Sequence, residues 1–274
     1  MHAMTIEPGD TATAPVASNR EPDAPRARLL GPLELHAGGA DRAPTTPKLL
    51  QLLAMLLIRP GKTVHVDSLI HELWSDAPPR SARRTLHTYV HHLRRHLDPD
   101  GDAGLLVTSP PGFRLDVDPA MVDVSEFQRL HRLGRDLLDE GDNAAAAHAF
   151  RTALDLWSGP PLANIHCGPT LAAYTVYLLE HRRNARDLWI EAEIRSGRHR
   201  EMLGVLRSLT TANPFDETLH GQLIRALGLS GRRSDALAAY HWLRTRLEDE
   251  LGVEPCAELR ELHRELLSEG HPIR

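Results

Sequence analysis

Aromatic residues are scarce: Phe, Trp and Tyr together make up 4% of the 274 residues. Buried cores must then be built from Leu, Ala and Val, which favours helix-on-helix packing over an aromatic-rich sandwich. Cysteine is nearly absent. Cys167 and Cys256 are too few and too far apart to frame a disulfide scaffold. No apolar run approaches the roughly 20 residues that a membrane span needs, and no basic start leads into an apolar stretch. The expected compartment is the cytoplasm, with no membrane partner. A hydrophobic share of 41% and a charged share of 25% are ordinary for a soluble globular chain.

One absence is local. From Arg80 to Leu97 there are five Arg and four His and no Asp or Glu. The whole chain carries a net charge of −5, which on its own argues against a nucleic-acid partner. The average hides an asymmetry: residues 26–118 hold twelve Lys/Arg against ten Asp/Glu, hence +2, while residues 1–25 carry −3 and residues 119–274 carry −4. Screening limits the reach of charge to about 10 Å at ordinary salt, so a local basic stripe matters more to a phosphate than the total.

Punctuation divides the chain into an expected disordered tail over 1–25, a mixed α+β domain over 26–118 and an all-helical domain over 119–272. The tail is rich in Thr, Ala, Pro and Asp and poor in large apolar side chains. Leu29, Leu30, Leu33 and Leu35 followed by Gly38-Gly39 read as a short hairpin. Thr46-Pro47 opens a helix that Pro60-Gly61 stops, with Thr46 as its cap. Val64 and Val66 read as a short strand, and Asp67 caps a second helix ending at Trp74. A third helix runs from about Arg80 to Leu97, closed by Asp98-Pro-Asp-Gly-Asp102. Leu105 to Thr108 and Phe113 to Val117 form two strands about Pro110-Pro-Gly112. Strands, three helices and a β-hairpin, in that order, are the plan of a winged helix-turn-helix.

Beyond Val122 the spacing predicts helices over about 125–140, 143–157, 170–196, 199–212, 216–230, 233–251 and 256–268. Gly197-Arg198, Glu201 and Leu203 recur as Gly231-Arg232, Asp235 and Leu237, a shift of 34 residues. That is the tetratricopeptide period, one helix pair per unit, and such pairs bury their apolar faces only by stacking. Ala146, Phe150 and Ala153 repeat part of the same small-large-small pattern after Gly141.

On a helical wheel Ala82, Leu86, Tyr89, Val90, Leu93 and Leu97 fall within about 60° of one direction. Arg80, Arg84, His87, Thr88, His91, His92 and Arg95 lie on the opposite half, with Arg83, Thr85 and Arg94 on the flanks. A DNA-reading helix needs this division: an apolar back that fixes it and a donor-rich front for the major groove. The bland alternative is a solvated basic face, as most charge runs are. The preceding helix and Pro-containing turn, and a following hairpin whose tip offers Arg114, favour DNA. The candidate base-reading residues are Arg84, His87, Thr88, His91 and His92. Lys48, Arg83, Thr85, Arg94 and Arg95 are candidates for phosphate contacts, which set register without reading sequence.

Other features are set aside. Gly61-Lys62-Thr63 imitates the end of a phosphate-binding loop, but the position that needs a glycine is Leu56. The i,i+4 pairs His87/His91 and His92/His96 lack Cys or carboxylate partners, so no metal or cofactor is expected. Asp98, Asp100 and Asp102 resemble a calcium loop, but Ser109 stands where its closing Glu belongs. His166-Cys167 belongs to no recognisable catalytic frame, and no enzyme activity is expected. Trp74, Trp157, Trp189 and Trp242 are assigned to packing.

The stretches Asp67-Ser-Leu-Ile-His-Glu-Leu-Trp74, Pro78-Pro-Arg-Ser-Ala-Arg-Arg-Thr-Leu86, Tyr89-Val-His-His-Leu-Arg-Arg95 and Pro110-Pro-Gly-Phe-Arg114 resemble the OmpR-type winged helix of the Streptomyces antibiotic regulatory protein family. Asp123-Val-Ser-Glu-Phe127, Ala153-Leu-Asp-Leu-Trp-Ser-Gly-Pro-Pro-Leu162 and Glu250-Leu-Gly-Val-Glu-Pro255 resemble that family's bacterial transcriptional activation domain. The resemblance spans roughly residues 28–268 and implies a short-form activator of a secondary-metabolite gene cluster. It implies further that protomers sit side by side on direct repeats near the −35 element and recruit RNA polymerase through its sigma factor. Carried over by position, Arg84, Thr88, His91 and His92 fall at major-groove contacts, Arg94 at a phosphate and Arg114 at the wing's minor-groove position. The loop Ser75, Asp76, Ala77, Pro78, Pro79 falls where the family faces polymerase. Two departures stand out: several reading-helix positions are His where relatives carry Arg or Gln, and Asn164-Ile-His-Cys-Gly-Pro169 differs from the usual sequence. The rival reading is a helical-repeat adaptor whose winged helix is only a scaffold.

Overall fold

A computed structural model describes residues 26–37, 40–98 and 104–268. The tail 1–25, the Gly38-Gly39 turn, Asp100 and Asp102 of the acidic turn, and residues 269–272 lie outside the described residues. β1 (Arg26–Arg28), β2 (Glu34–Ala37) and β3 (Ala40–Asp41) form an antiparallel sheet in that order, one strand more than a hairpin. Leu29, Leu30 and Leu33 are not strand residues. They lie in the β1–β2 connection and are fully buried, because the helical half of the chain covers them. The Ser158 N–H donates to the Leu30 carbonyl at 2.9 Å and the Leu162 N–H to that of Leu29 at 3.2 Å.

Pro47 opens α1 (Pro47–Leu57) at the position where its missing N–H costs nothing; Thr46 precedes it, but its side chain makes no capping bond. Every residue from Leu50 to Leu57 is buried, so α1 is the central rod of the winged helix. Gly61 turns the chain at φ +70° and donates to the Leu115 carbonyl at 3.0 Å. β4 (Val64–His65) leads directly into α2 (Val66–Trp74), whose N-cap is His65. Asp67 therefore sits inside the first turn and does not cap the helix; its carboxylate pairs with Arg83 instead. α3 (Ala82–Leu97) follows an exposed loop.

β5 (Leu106–Ser109) and β6 (Gly112–Leu115) make the wing, joined by a cis Pro110-Pro111 turn, and the sheet order is β4-β6-β5. At Gly112 a Cβ would stand 1.9 Å from the Val64 carbonyl oxygen, so only glycine lets β4 pair with β6 at this register.

After a 3₁₀ turn at Pro119–Met121 come α4 (Asp123–Asp139), α5 (Asn143–Asp155), α6 (Pro169–Arg195), α7 (His199–Ala212), α8 (Glu217–Leu229), α9 (Arg233–Leu251) and α10 (Ala257–Leu267). Every end falls within two residues of the reading from sequence. The repeat has a concrete cause in three identical helix ends. Gly141, Gly197 and Gly231 adopt φ of +85°, +87° and +77°. The next N–H reaches back to close each end: Asp142 to Leu137 at 2.9 Å, Arg198 to Glu193 at 3.0 Å and Arg232 to Leu227 at 2.9 Å. A new helix starts two residues after each glycine.

One apolar core runs from Ala27 and Leu29 through Leu86 and Phe113 to Phe127, Trp157 and Leu178, spanning the winged helix and the first helices behind it. A second core, from Ile190 to Leu266, holds the C-terminal helices together. Trp157 is buried in the first; Trp242 is 45% exposed, so packing does not account for it.

Candidate nucleic-acid interface

On α3 the side chains of Ala82, Leu86, Val90, Leu93 and Leu97 are buried, and Tyr89 is half-buried with its ring stacked on Trp74 at 6.2 Å. The apolar stripe thus fixes one face of the helix to the domain. On the other face Arg83, Arg84, His87, Thr88, His91, His92, Arg95 and His96 are exposed. Among the described residues Arg80, Arg84 and Arg95 make no ion pair, so their donors are free for a polyanion. His91 and His92 rings lie edge to face at 5.9 Å, and the His87 ring meets the edge of Phe113 on β6 at 5.5 Å. The Thr88 hydroxyl donates back to the Arg84 carbonyl at 3.2 Å.

The candidate phosphate ligands separate into free and engaged groups. Arg83 reaches Asp67 at 2.6 Å, an exposed pair of the kind that contributes about 0–1 kcal/mol and exchanges readily. Arg94 is half-buried: Nε donates to the Leu106 carbonyl at 2.9 Å and Nη2 to the Thr108 hydroxyl at 3.2 Å, tying α3 to the wing. Lys48 belongs to α1 and not to α3. Its ammonium donates to the Leu73 carbonyl at 2.5 Å and to Gln51 Oε1 at 3.2 Å, holding the C-terminal end of α2. Thr85 is half-buried on the flank. Arg114 stands within β6 opposite Val107, not at the hairpin tip, which is Pro110-Pro111. Its guanidinium is 3.7 Å from Asp116, and its Nε is buried without a partner.

Ser75 to Arg80 is exposed at every residue. Ser75 ends α2 at φ +53°, a left-handed conformation costly for a non-glycine residue, and the following Pro78-Pro79 stiffens the loop that presents α3.

Behind this face lies a polar junction that periodicity in the sequence does not reveal. Glu72, on α2 and 1% exposed, turns its carboxylate onto the start of α6. Oε1 accepts from the Gly168 N–H at 2.6 Å and from Gln51 Nε2 at 3.1 Å; Oε2 accepts from Thr170 at 2.8 Å and Leu171 at 3.2 Å. An anion at a helix N-terminus, meeting free N–H groups and the positive end of the dipole, is a favourable arrangement. Gly168 is required, because a Cβ there would lie 2.1 Å from the Glu72 carbonyl oxygen. Asp123 at the start of α4 accepts from the Leu29 N–H at 2.9 Å and the Leu30 N–H at 3.0 Å. Burial pushes its carboxyl above the ordinary value, and these backbone bonds pull partly back. Asn164 exchanges two bonds with the backbone of Leu33, at 2.7 and 3.1 Å. The unusual stretch from Asn164 to Pro169 is therefore one of the segments that dock on the winged helix, together with Ser158, Leu162 and Asp123. A buried acid in an otherwise amphipathic helix is the signal at Glu72; its partner lies too far along the chain to be named from the pattern.

No described helix is long and apolar enough to cross a membrane. Residues 40–115 match the family described as "Transcriptional regulatory protein, C terminal", and residues 122–267 match the "Bacterial transcriptional activator domain". Regulatory protein DnrI of Streptomyces peucetius is 38% identical over 248 residues, covering 87% of this chain and 90% of DnrI. The transcriptional regulatory protein EmbR of Mycobacterium tuberculosis is 36% identical over 87% of this chain and 62% of EmbR. Regulatory protein AfsR of Streptomyces coelicolor is 35% identical, but the chain spans only 25% of AfsR. A solved structure described as "Mycobacterium tuberculosis EmbR in complex with low affinity phosphopeptide" superposes with a TM-score of 0.82 at 35% identity, covering 89% of this chain and 65% of that one. Two family matches in the expected order and a relative aligned over nine-tenths of its length place this chain in the Streptomyces antibiotic regulatory protein family of transcriptional regulators, with an OmpR-type winged helix ahead of a bacterial transcriptional activation domain.

Proposed function

We propose that the chain is a sequence-specific transcription activator of a secondary-metabolite gene cluster, with α3 in the major groove of direct repeats near a −35 element. The observation that carries this reading is the α3 face itself: exposed Arg84, His87, Thr88, His91 and His92, with no acid among them, opposite a buried apolar stripe. Arg84 is the side chain best suited to bridge guanine O6 and N7, and the Thr88 methyl suits a thymine methyl. Arg95, Arg83 and Thr85 take flanking phosphates, Arg83 by exchanging Asp67 for the phosphate. Arg94 and Lys48 contribute through donors left over after their bonds to Leu106 and Leu73. Arg114 reaches the minor groove from β6. Residues 26–118 are the reading part, and residues 119–272 support a second protomer side by side on the DNA. The exposed, stiff loop Ser75 to Pro79 is the surface offered to RNA polymerase and its sigma factor. The similarity to regulatory protein DnrI of Streptomyces peucetius supports the choice of target class.

Selection from random duplex DNA at two salt concentrations tests the reading. Tandem motifs whose affinity falls steeply with salt are the expected result. No enrichment at either salt would refute direct sequence recognition and leave the adaptor reading in its place.

A further inference from the structure

Two histidines stand side by side in the middle of α3, His91 and His92, and both are exposed. Their rings meet edge to face at 5.9 Å, and among the described residues the ring nitrogens make no hydrogen bond and no ion pair. Apart from that mutual contact the fold does not use them. The helix around them is cationic: His87 and Arg95 lie one turn to either side of His91, and Arg84 lies one turn before His87. The acids on the elements around α3 are committed elsewhere. Asp67 of α2 pairs with Arg83, Asp116 behind β6 lies 3.7 Å from Arg114, and Glu72 is buried on the start of α6. Asp98, at the end of α3, accepts from the Gly104 N–H at 2.8 Å. The remaining imidazoles nearby, His65 of β4, His71 of α2 and His96, are exposed and bring no negative charge.

We propose that DNA binding is proton-coupled through this pair: on docking to the duplex, His91 and His92 together take up about one proton per protomer, and affinity rises as pH falls through neutrality. The inference rests on the reading of α3 as the DNA face. Histidine is the side chain whose charge ordinarily changes near neutral pH. Phosphates brought against a ring favour its charged form, and a charge on one ring disfavours a charge on its neighbour, which holds the uptake near one proton. A charged imidazole has two donors and no acceptor, which fits a phosphate oxygen or the O6 and N7 acceptors of guanine. Linkage is reciprocal, so a duplex that draws in a proton is itself held more tightly where protons are plentiful. Arginine at the same positions would hold DNA equally well at every pH of this range; the histidine pair makes the chain loosen its hold as the solution turns alkaline.

The test is binding of the full chain to duplex DNA by fluorescence anisotropy, at constant ionic strength and in steps between about pH 8.0 and 6.5. Calorimetry in two buffers of different ionisation heat counts the protons, and circular dichroism at each pH checks that the fold is intact. The expected result is a Kd that falls by about tenfold per pH unit, with uptake of about one proton per protomer. The double variant His91→Arg with His92→Arg should lose this slope and bind at about pH 8.0 at least as tightly as the wild type at about pH 6.5. His91→Gln with His92→Gln should also be flat, at the weaker level. His148→Gln, which removes an exposed histidine of α5, should keep the wild-type slope. DNA binding with one Kd across the range and no buffer-dependent heat overturns the coupling and leaves the DNA reading standing. No binding to any duplex at any pH overturns both. A slope that survives in both double variants puts the proton elsewhere and overturns the assignment to this pair.

Discussion

Replacing Glu72 by Gln tests the junction between the winged helix and α6 with almost no change of shape. The carboxylate serves four N–H donors, two on each oxygen, in a place from which water is excluded. A glutamine keeps one acceptor oxygen. Whichever pair it serves, the amide NH₂ faces the other pair, so two buried donors lose their acceptor at about 1–3 kcal/mol each. The α6 N-terminus also loses its anion, which contributes up to about 2 kcal/mol in partly buried geometry. Relaxation recovers some of this, and a net loss of about 3–5 kcal/mol is expected. Urea unfolding of the full chain, followed by circular dichroism, reads it directly. Glu72→Asp, which keeps the charge and shortens the reach, should fall between wild type and Glu72→Gln. A loss below about 0.5 kcal/mol for Glu72→Gln would show that the four bonds contribute nothing net, and the argument from buried donors would be wrong.

Three other outcomes follow from the same structure. Arg84→Ala should cost about 1–3 kcal/mol on the preferred duplex and relax one base position; equal weakening on all sequences, measured by competition binding, would assign Arg84 to phosphate instead. Gly112→Ala should destabilise the wing, because its methyl would meet the Val64 carbonyl at 1.9 Å; amide exchange of β4 and β6 that matches wild type would show that the strands shift at no cost. Burial pushes His131 and His220 below the ordinary histidine value of 6.5, which favours protons on the unfolded chain. Their contribution is complete above 6.5 and is lost as pH falls from there toward the folded-state values, so urea stability should drop between about pH 7.5 and 5.5. Asp123 and Asp187, pushed up by burial, have the opposite slope, present below 3.8 and lost as pH rises through their folded values. A flat profile between about pH 7.5 and 5.5 would contradict the histidine assignment.

The elements were largely legible because they repeat local signals. The α3 stripe follows from periodicity, and each of the glycines 141, 197 and 231 ends a helix in the same way. The N-terminal sheet was not, because β3 has only two residues, too short for any alternation to register, and because Leu29 to Leu33 are buried by a loop some 130 residues later rather than by strand pairing. The same distance hid the roles of Glu72, Asp123 and Asn164, whose partners are 93 to 131 residues away. On α3 itself, residue type located the cationic face but not its internal commitments. Nothing local says that Arg94 spends two donors on the wing, or that Lys48 holds the end of α2.

The continuous core behind α3 sets a rule for anyone recombining such regulators. A cut after residue 118, where the chain passes from wing to helices, would strip the cover from Leu29, Leu30 and Leu33 and leave the Glu72 carboxylate facing no donor but Gln51. A transplantable reading head must therefore carry its own α4, α5 and most of α6, as far as Ala185, where the first core ends. Swaps of operator preference between relatives are better made by exchanging the exposed residues of α3 alone, because apart from the Arg83–Asp67 pair and the His87–Phe113 ring contact those side chains are not held by the rest of the molecule.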